Sequence, residues 1–124
     1  MIATDVDAEG LASLSSATWT LTADLGFPDE VARLVAQIEG LLRDQRLDLV
    51  GLALVAGIGW SAPTVLADEE LVRDTLQINA LAPYTLIRGL FEALSRAPGG
   101  GRIAVVSSLA GRLPQAWCGA YSMS

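Results

Sequence analysis

The clearest periodic pattern along the chain lies between residues 28 and 46. Apolar side chains recur there at the 3.6-residue spacing of an α-helix: Val31, Leu34, Val35, Ile38, Leu41 and Leu42. The segment opens with Pro-Asp-Glu and closes with Arg43 and Arg46, which complements the positive start and negative end of a helix. The pattern predicts an amphipathic helix with one face buried against a sheet.

Four apolar segments have the length and pattern of β-strands. Residues 1–4 form a short apolar run, and residues 18–23 (TWTLTA) alternate between polar and apolar side chains. Residues 49–55 and 103–106 are apolar on both faces, as expected of parallel strands buried between two helix layers. We predict these last two segments to be central strands, and we predict a weak helix over residues 8–14.

A long helical stretch covers residues 68–96, with Pro83 inside it. Proline has no backbone N–H, so Pro83 cannot donate to the carbonyl of Asn79, four residues earlier. The carbonyl of Asn79 could serve a functional role. Alternatively, the helix is merely kinked and the Asn79 side chain caps its second half. The pattern alone leaves both interpretations open.

The order of these elements predicts the fold class. Strands that alternate with helices form a parallel sheet with right-handed crossovers, here a doubly wound α/β layer in one domain over residues 1–124. Ligands of such sheets bind at the carboxyl ends of the strands. The residues in those positions are Asp5, Asp24, Ala56, Gly57, Ser107 and Ser108.

The charge and composition of the chain restrict its chemistry. The 124 residues contain no histidine, all eight cations are arginine, and the net charge is −6. These features exclude a lysine Schiff base, a histidine general base and the usual zinc sites, and no metal site is expected. The negative charge also argues against nucleic acid or an anionic membrane as a partner.

Localisation follows from the cysteine content and the apolar runs. Cys118 is the only cysteine, so the chain cannot form an internal disulfide. The first ten residues are too acidic for a signal peptide, and the longest apolar run, residues 49–59, is too short to span a bilayer. We therefore expect a cytoplasmic protein.

Several of these residues occur in an ordered set that resembles a known family. The set comprises Asp5, Asp24, ALVAGIG at 53–59, Asn79, GGRIAVVSSLAG at 100–111 and GAYSMS at 119–124. It resembles the middle of a short-chain dehydrogenase/reductase, over essentially the whole chain. The spacing of Ser108 and Tyr121 makes the combination specific. The resemblance implies an incomplete Rossmann-like fold, without the first strand and the strands after the fifth.

By the same resemblance, five residues would contact a nicotinamide cofactor. Asp5 would accept hydrogen bonds from the adenosine ribose and repel a 2′-phosphate, which favours NAD over NADP. Asp24 and Leu25 would lie beside the adenine, and Ala56 and Gly57 would form the cofactor floor. The alternatives are a solvated loop acid for Asp5 and a helix-start acid for Asp24.

One departure from the family pattern precedes Ala56. The family has two asparagines before its Ala-Gly pair, whereas this chain has Leu54 and Val55. Those asparagines help to tie the central strands together, so the polar network around the cofactor floor is expected to differ here.

The resemblance also assigns catalytic roles. Tyr121 would exchange a proton with the oxygen of an alcohol or ketone substrate, and the Ser108 hydroxyl would polarise that oxygen. The backbone carbonyl of Asn79 would hold a water molecule in a proton relay, and Trp117 and Cys118 would line the substrate pocket. The alternatives are a turn hydroxyl for Ser108, a half-buried aromatic for Tyr121 and a small loop residue for Cys118.

Two parts of the family's machinery are absent from these 124 residues. The family's lysine, four residues after the tyrosine, has no counterpart because the chain ends at Ser124. The glycine-rich phosphate loop and the first strand, which lies between the second and fourth strands of the family's sheet, are also absent. We expect the sheet to split into two strand pairs and the exposed edges to favour self-association.

These absences leave more than one functional interpretation. We expect the chain by itself to be inactive, as a segment of an NAD(P)-dependent oxidoreductase whose parent enzyme is a homo-oligomer, as members of the family often are. The alternative is a non-catalytic remnant or scaffold with no enzymatic role. A receiver-like binding module fits less well, since such modules use a lysine and give the Ser108 to Tyr121 spacing no role.

Overall fold

The computed structural model describes residues 1–113 and 115–124. Its four strands are β1 (Ile2–Asp5), β2 (Trp19–Thr22), β3 (Gly51–Leu54) and β4 (Arg102–Val105). Its α-helices are α1 (Ala8–Ala12), α2 (Pro28–Asp44), α3 (Glu69–Leu76), α4 (Ala82–Arg96) and α5 (Gly119–Met123). Alternation of strands and helices confirms the predicted α/β class. None of the helices in the described part of the chain is long and apolar enough to cross a bilayer.

The long helical stretch is continuous but irregular in its middle. A π-helical turn (Gln77–Leu81) joins α3 to α4, and the N–H of Ala82 donates to the carbonyl of Gln77, five residues earlier. The turn lies just before Pro83, which has no N–H to donate to the usual carbonyl four residues earlier. A wider turn is one way for a helix to absorb such a missing bond, and π-turns are frequent at functional sites.

The core lies on one side of the strands, where α2 packs against α4. Val31 and Leu34 of α2 and Leu90 of α4 are almost completely buried. The two helices approach closely at Gly89, because a Cβ there would lie 2.7 Å from Cγ1 of Val35. Burial of these side chains follows the 3.6-residue pattern that predicted α2.

The strands form two separate parallel pairs. β1 pairs with β2, in a register that places Ile2 opposite Trp19, and β3 pairs with β4, with Gly51 opposite Arg102. No ladder joins β1 to β3 among the described residues. The expected split of the sheet is thereby confirmed.

The prediction that residues 49–55 and 103–106 are buried on both faces is wrong. Of the β3 residues only Leu54 is buried, and every residue of β4 is exposed. Val55, directly after β3, is 65% exposed. The physical reason is that helices α2 and α4 cover one face of the strands, while the other face and the outer edge of β4 have no covering element among the described residues.

The open edges lead to a prediction about the isolated chain. Unpaired backbone groups on a strand edge bind other edges, and apolar side chains stand exposed beside them. We expect sedimentation velocity to show a weight-average sedimentation coefficient that rises with concentration. A chain that stays monomeric at all concentrations and unfolds in one cooperative step would contradict this expectation.

Candidate active site

The end of β1 presents Asp5 to solvent. One oxygen of its carboxylate, Oδ1, accepts a hydrogen bond from the backbone N–H of Asp7 at 3.0 Å. Asp7 in turn caps α1, since its Oδ1 accepts from the N–H groups of Glu9 and Gly10. The neighbouring acids thus have different roles: Asp7 stabilises the helix start, whereas Asp5 keeps its second oxygen exposed and available to a ligand hydroxyl.

Asp24 and Leu25 form a turn at the end of β2. Oδ1 of Asp24 accepts from the N–H of Gly26 at 2.8 Å, and the N–H of Asp24 donates to the Glu30 carboxylate at 2.8 Å. The interpretation of Asp24 as a helix-start acid is wrong, because α2 has Phe27 at its N-cap position and no side-chain cap. The carbonyl of Leu25 accepts from Nε2 of Gln77 at 3.1 Å, which ties this turn to the π-helical turn.

The side chain of Asn79 connects the loop after β3 with the end of the chain. Oδ1 of Asn79 accepts from the N–H of Ile58 at 2.8 Å, and Nδ2 donates to the Ile58 carbonyl at 2.8 Å. Nδ2 also donates to Oγ of Ser124 at 2.9 Å. The interpretation that this side chain caps the second half of the helix is therefore wrong, since all these partners lie outside the helix.

Ala56 and Gly57 follow β3 and are exposed. A Cβ at position 57 would lie 3.3 Å from Oδ1 of Asn79, so glycine lets the loop lie directly against the asparagine. Leu54, one of the two residues that replace the family's asparagines, is buried in the core. Val55, the other, is exposed.

Tyr121 lies in α5, half-buried against the same loop. A Cβ at position 59 would lie 3.2 Å from Cε2 of Tyr121, so only glycine allows the ring to pack this closely on the backbone. The half-buried position agrees with the structural alternative for Tyr121. It also places the ring next to the residues that follow the carboxyl end of β3.

Ser108 follows β4 and begins a 3₁₀ turn (Leu109–Gly111) that packs against α5. Its Oγ accepts from the N–H of Ala110 at 3.2 Å, as the turn-hydroxyl alternative requires. A hydroxyl has one hydrogen to donate as well, and within the described part of the chain that hydrogen has no acceptor. Ser108 can therefore close its turn and still donate to a ligand oxygen.

Trp117 and Cys118 lie beside the loop that runs from Gly59 to Ala62. The carbonyl of Trp117 accepts from the N–H of Ala62 at 2.8 Å, and Sγ of Cys118 lies 3.3 Å from Oγ of Ser61. Trp117 is 66% exposed and has a φ of +67°, a strained value for a bulky residue. Such strain occurs often at ligand sites.

Sequence reasoning missed a second anchor of this loop. Nε1 of Trp60 donates to Oγ1 of Thr75 at 2.8 Å, and this fully buried hydroxyl donates in turn to the Leu71 carbonyl at 2.7 Å. A threonine in a helix commonly bonds to the carbonyl four residues back, so the pattern held no signal for the partner fifteen residues earlier. The anchor helps to fix the position of the loop beneath Tyr121.

The chemistry of these groups fits part of a nicotinamide cofactor. The exposed oxygen of Asp5 can accept from ribose hydroxyls, and the N–H of Leu25 has no partner among the described residues. The exposed backbone at Ala56 and Gly57 offers a surface without bulky side chains. No cluster of three metal-binding side chains occurs in residues 1–113 and 115–124.

Two neighbouring serines near Tyr121 should respond oppositely to substitution. Oγ of Ser122 is buried without a partner in the described residues, whereas Oγ of Ser124 accepts from Asn79 and donates to the Tyr121 carbonyl. We expect Ser122→Ala to raise the free energy of unfolding by about 1 kcal/mol and Ser124→Ala to lower it by about 1–2 kcal/mol. Urea denaturation of both variants measures this, and shifts of the same sign would contradict it.

Comparison with known proteins gives a consistent result. The model of the short chain dehydrogenase family matches residues 3–124. A metagenomic short-chain oxidoreductase in complex with NADP superposes with a TM-score of 0.81, at 28% identity over 98% of this chain and 57% of its own. A Brucella ovis oxidoreductase of the short chain dehydrogenase/reductase family, in complex with a partially ordered NAD, superposes with a TM-score of 0.75, at 27% identity over 89% of this chain and 54% of its own.

A third similar structure is the landomycin C-6 ketoreductase LanV with bound NADP and rabelomycin. Its TM-score is 0.72, at 30% identity over 94% of this chain and 47% of LanV. This chain thus spans about half the length of the structures it matches. No curated protein sequence matches it significantly.

Proposed function

The chain belongs to the short-chain dehydrogenase family, and from this premise we propose that it supplies the catalytic tyrosine and part of the cofactor site of an NAD(P)-dependent oxidoreductase. The substrate class is a small alcohol or ketone. Tyr121 exchanges a proton with the substrate oxygen, and Ser108 donates a hydrogen bond to that oxygen. A bound nicotinamide cofactor supplies or accepts the hydride.

One observation carries this proposal: the position of Tyr121 against the loop after β3. Asn79 bonds to both backbone groups of Ile58 and to Ser124, three residues after the tyrosine. The ring of Tyr121 lies against Gly59 in the same loop. This arrangement supports a site in which the phenol stands near the carboxyl end of β3, where ligands of doubly wound sheets bind.

The remaining assignments rest on the same geometry. We propose that Asp5, Asp24, Leu25, Ala56 and Gly57 contact the cofactor, and that Trp117 and Cys118 line the substrate pocket. The backbone carbonyl of Asn79 holds a water molecule for proton transfer, which Pro83 favours because it cannot donate to that carbonyl. The cytoplasm is the proposed compartment.

The proposal is tested in a hybrid enzyme. In this hybrid, residues 1–124 replace the matching segment of the ketoreductase LanV, which supplies the rest of the enzyme. We expect NADH or NADPH oxidation that depends on LanV's own ketone substrate. A hybrid that is folded by circular dichroism and binds cofactor, yet shows no turnover, would contradict the proposal and favour the non-catalytic alternative.

The cofactor preference is a separate prediction. We propose that the Asp5 carboxylate favours NAD over NADP, because its charge repels a 2′-phosphate. In the hybrid, Asp5→Asn should change the ratio of kcat/KM for NADH and NADPH by about tenfold in favour of NADPH, equivalent to ~1.4 kcal/mol. Asp7→Asn is the matched control and should leave the ratio unchanged, and equal shifts for both variants would disprove the assignment.

A further inference from the structure

The loop of residues 58–64 lies along the segment of residues 117–121, which carries the proposed catalytic tyrosine. Residues of the two segments contact one another in pairs: Gly59 with Tyr121, Ser61 with Cys118, Ala62 with Trp117, and Thr64 with Gly119. The approach is close at Gly119, because a Cβ there would lie 2.7 Å from Oγ1 of Thr64. The position of the loop therefore sets the position of the tyrosine segment.

Two side chains of the long helical stretch hold this loop on either side of Gly59. Asn79 bonds to both backbone groups of Ile58, and Oγ1 of Thr75 accepts from Nε1 of Trp60 at 2.8 Å. Ile58 and Trp60 are the direct neighbours of Gly59 along the chain. The glycine against which the catalytic ring packs is thus fixed from the helix on both of its sides.

The bond between Trp60 and Thr75 can form in one direction only. The Thr75 hydroxyl uses its single hydrogen to donate to the Leu71 carbonyl at 2.7 Å, so its oxygen serves the indole as an acceptor. The indole N–H in turn can only donate. Because Thr75 has no exposed surface, loss of either partner leaves a polar group without compensation from water.

Packing alone does not fix the indole of Trp60. A cavity of about 220 Å³ lies between α3 and α5, and its walls include Trp60, Val72, Ala120 and Met123. Close-packed side chains resist displacement, whereas a cavity leaves the indole room to move. The directional bond to Thr75 therefore restrains the indole where packing does not.

We propose that Trp60 and Thr75 are positioning residues for proton transfer by Tyr121. Their hydrogen bond holds Gly59 in place, and Gly59 sets the distance between the phenol and the substrate oxygen. Misplacement of a catalytic group by about 1 Å can lower a rate by roughly 10²-fold, even when the altered residue does not touch the reacting atoms. This inference rests on the proposed function of Tyr121.

The first test uses the hybrid enzyme. Trp60→Phe keeps an aromatic ring without the N–H, and Thr75→Val removes the acceptor at nearly the same volume. We expect each variant to lower kcat about tenfold, with KM for the cofactor unchanged. Thr75→Ser keeps the hydroxyl and should restore most of the rate. A Thr75→Ser variant as slow as Thr75→Val, or an unchanged kcat in Trp60→Phe, would overturn the proposal.

Trp19→Phe is the matched control for the tryptophan variant. Trp19 is the first residue of β2 and lies at the opposite end of that strand from Asp24. Its variant makes the same chemical change and should keep the rate of the parent hybrid. A loss of rate equal to that of Trp60→Phe would show that the effect is not specific to the bond with Thr75, and the proposal would be wrong.

A double variant distinguishes positioning from a general loss of stability. If Trp60 acts through the phenol, Trp60→Phe should have no further effect on a hybrid that already carries Tyr121→Phe. We expect the double variant and Tyr121→Phe alone to agree in kcat within about twofold. A double variant about tenfold slower would show that Trp60 affects the rate by another route, which contradicts the proposal.

Hydrogen exchange in the full 124-residue chain, followed by NMR, tests the positioning without catalysis. We expect Thr75→Val to speed exchange about tenfold or more at the indole N–H of Trp60 and at the backbone N–H of Ala62, which donates to the Trp117 carbonyl. The amides of α2 are the internal control and should keep their rates. Faster exchange at the indole alone, or equally faster exchange throughout α2, would overturn the proposal.

The exchange measurement also separates this proposal from the proposed function. If Tyr121→Phe keeps the rate of the parent hybrid, the tyrosine is not catalytic and no residue positions it for proton transfer. Faster exchange at Ala62 in Thr75→Val would then still show that the bond holds the loop. If Tyr121→Phe abolishes turnover while exchange at Ala62 is unchanged, the proposed function stands and the positioning role is wrong.

Discussion

Replacement of Tyr121 by phenylalanine is expected to lower kcat of the hybrid enzyme by about 10²–10⁴-fold, with little change in KM for the cofactor. The phenylalanine ring fills the same space against Gly59, so the loop after β3 should keep its position. What is lost is the hydroxyl that exchanges a proton with the substrate oxygen. Steady-state kinetics measure the effect.

Tyr84→Phe is the matched control for this prediction. Tyr84 is the other tyrosine of the chain, lies on α4 and is 60% exposed. Its variant should keep the parent hybrid's rate. If Tyr121→Phe also keeps that rate, the catalytic role proposed for Tyr121 is wrong, whatever the family resemblance implies.

The largest effect on stability is expected for Leu90→Ala. Leu90 has no exposed surface and packs in the core between α4 and α2. Loss of a buried leucine side chain removes apolar contacts and leaves a cavity, which costs about 2–5 kcal/mol. For a chain of this length, such a loss lowers the urea midpoint by roughly 1–2 M.

Leu66→Ala is the control, because it makes the same chemical change at a position that is 76% exposed. Its free energy of unfolding should change by less than about 0.5 kcal/mol. Both variants are measured by circular dichroism in urea, at concentrations low enough to limit self-association. Equal shifts for the two variants would show that the α2–α4 core does not carry the stability of the chain.

Much of the fold could be predicted from local pattern. Helix α2 was evident because its apolar spacing, its first-turn acids and its last-turn arginines all indicate one element. The strands were evident from short apolar runs, and family resemblance identified which residues follow their carboxyl ends. These signals are local or depend only on residue order, so a sequence displays them.

The exposure of β3 and β4 could not be predicted in the same way. An apolar run such as residues 49–55 is compatible with burial on both faces, but burial depends on which elements are present to cover the strand. Within residues 1–113 and 115–124, α2 and α4 cover one face only. The sequence therefore predicts the strands β3 and β4 correctly, but it does not predict which elements cover them.

The role of Asn79 shows a further limit. Its position four residues before Pro83 predicts a role for its backbone carbonyl, whereas in the structure its side chain forms hydrogen bonds with Ile58 and Ser124. Those partners lie 21 and 45 residues away along the chain. No periodicity relates positions so far apart, so only folding could bring them together.

By itself, the sequence determined the family, the α/β class, the order of the elements and the residues that stand at the strand ends. Each of these depends on local backbone preference or on the spacing of motifs. Only the tertiary structure decided that Tyr121 packs on Gly59, that Trp60 is anchored to buried Thr75, and that the side chain of Asn79 bonds to Ile58 and Ser124. The physical reason is that these features arise from contacts between distant segments and from the direction of individual backbone groups.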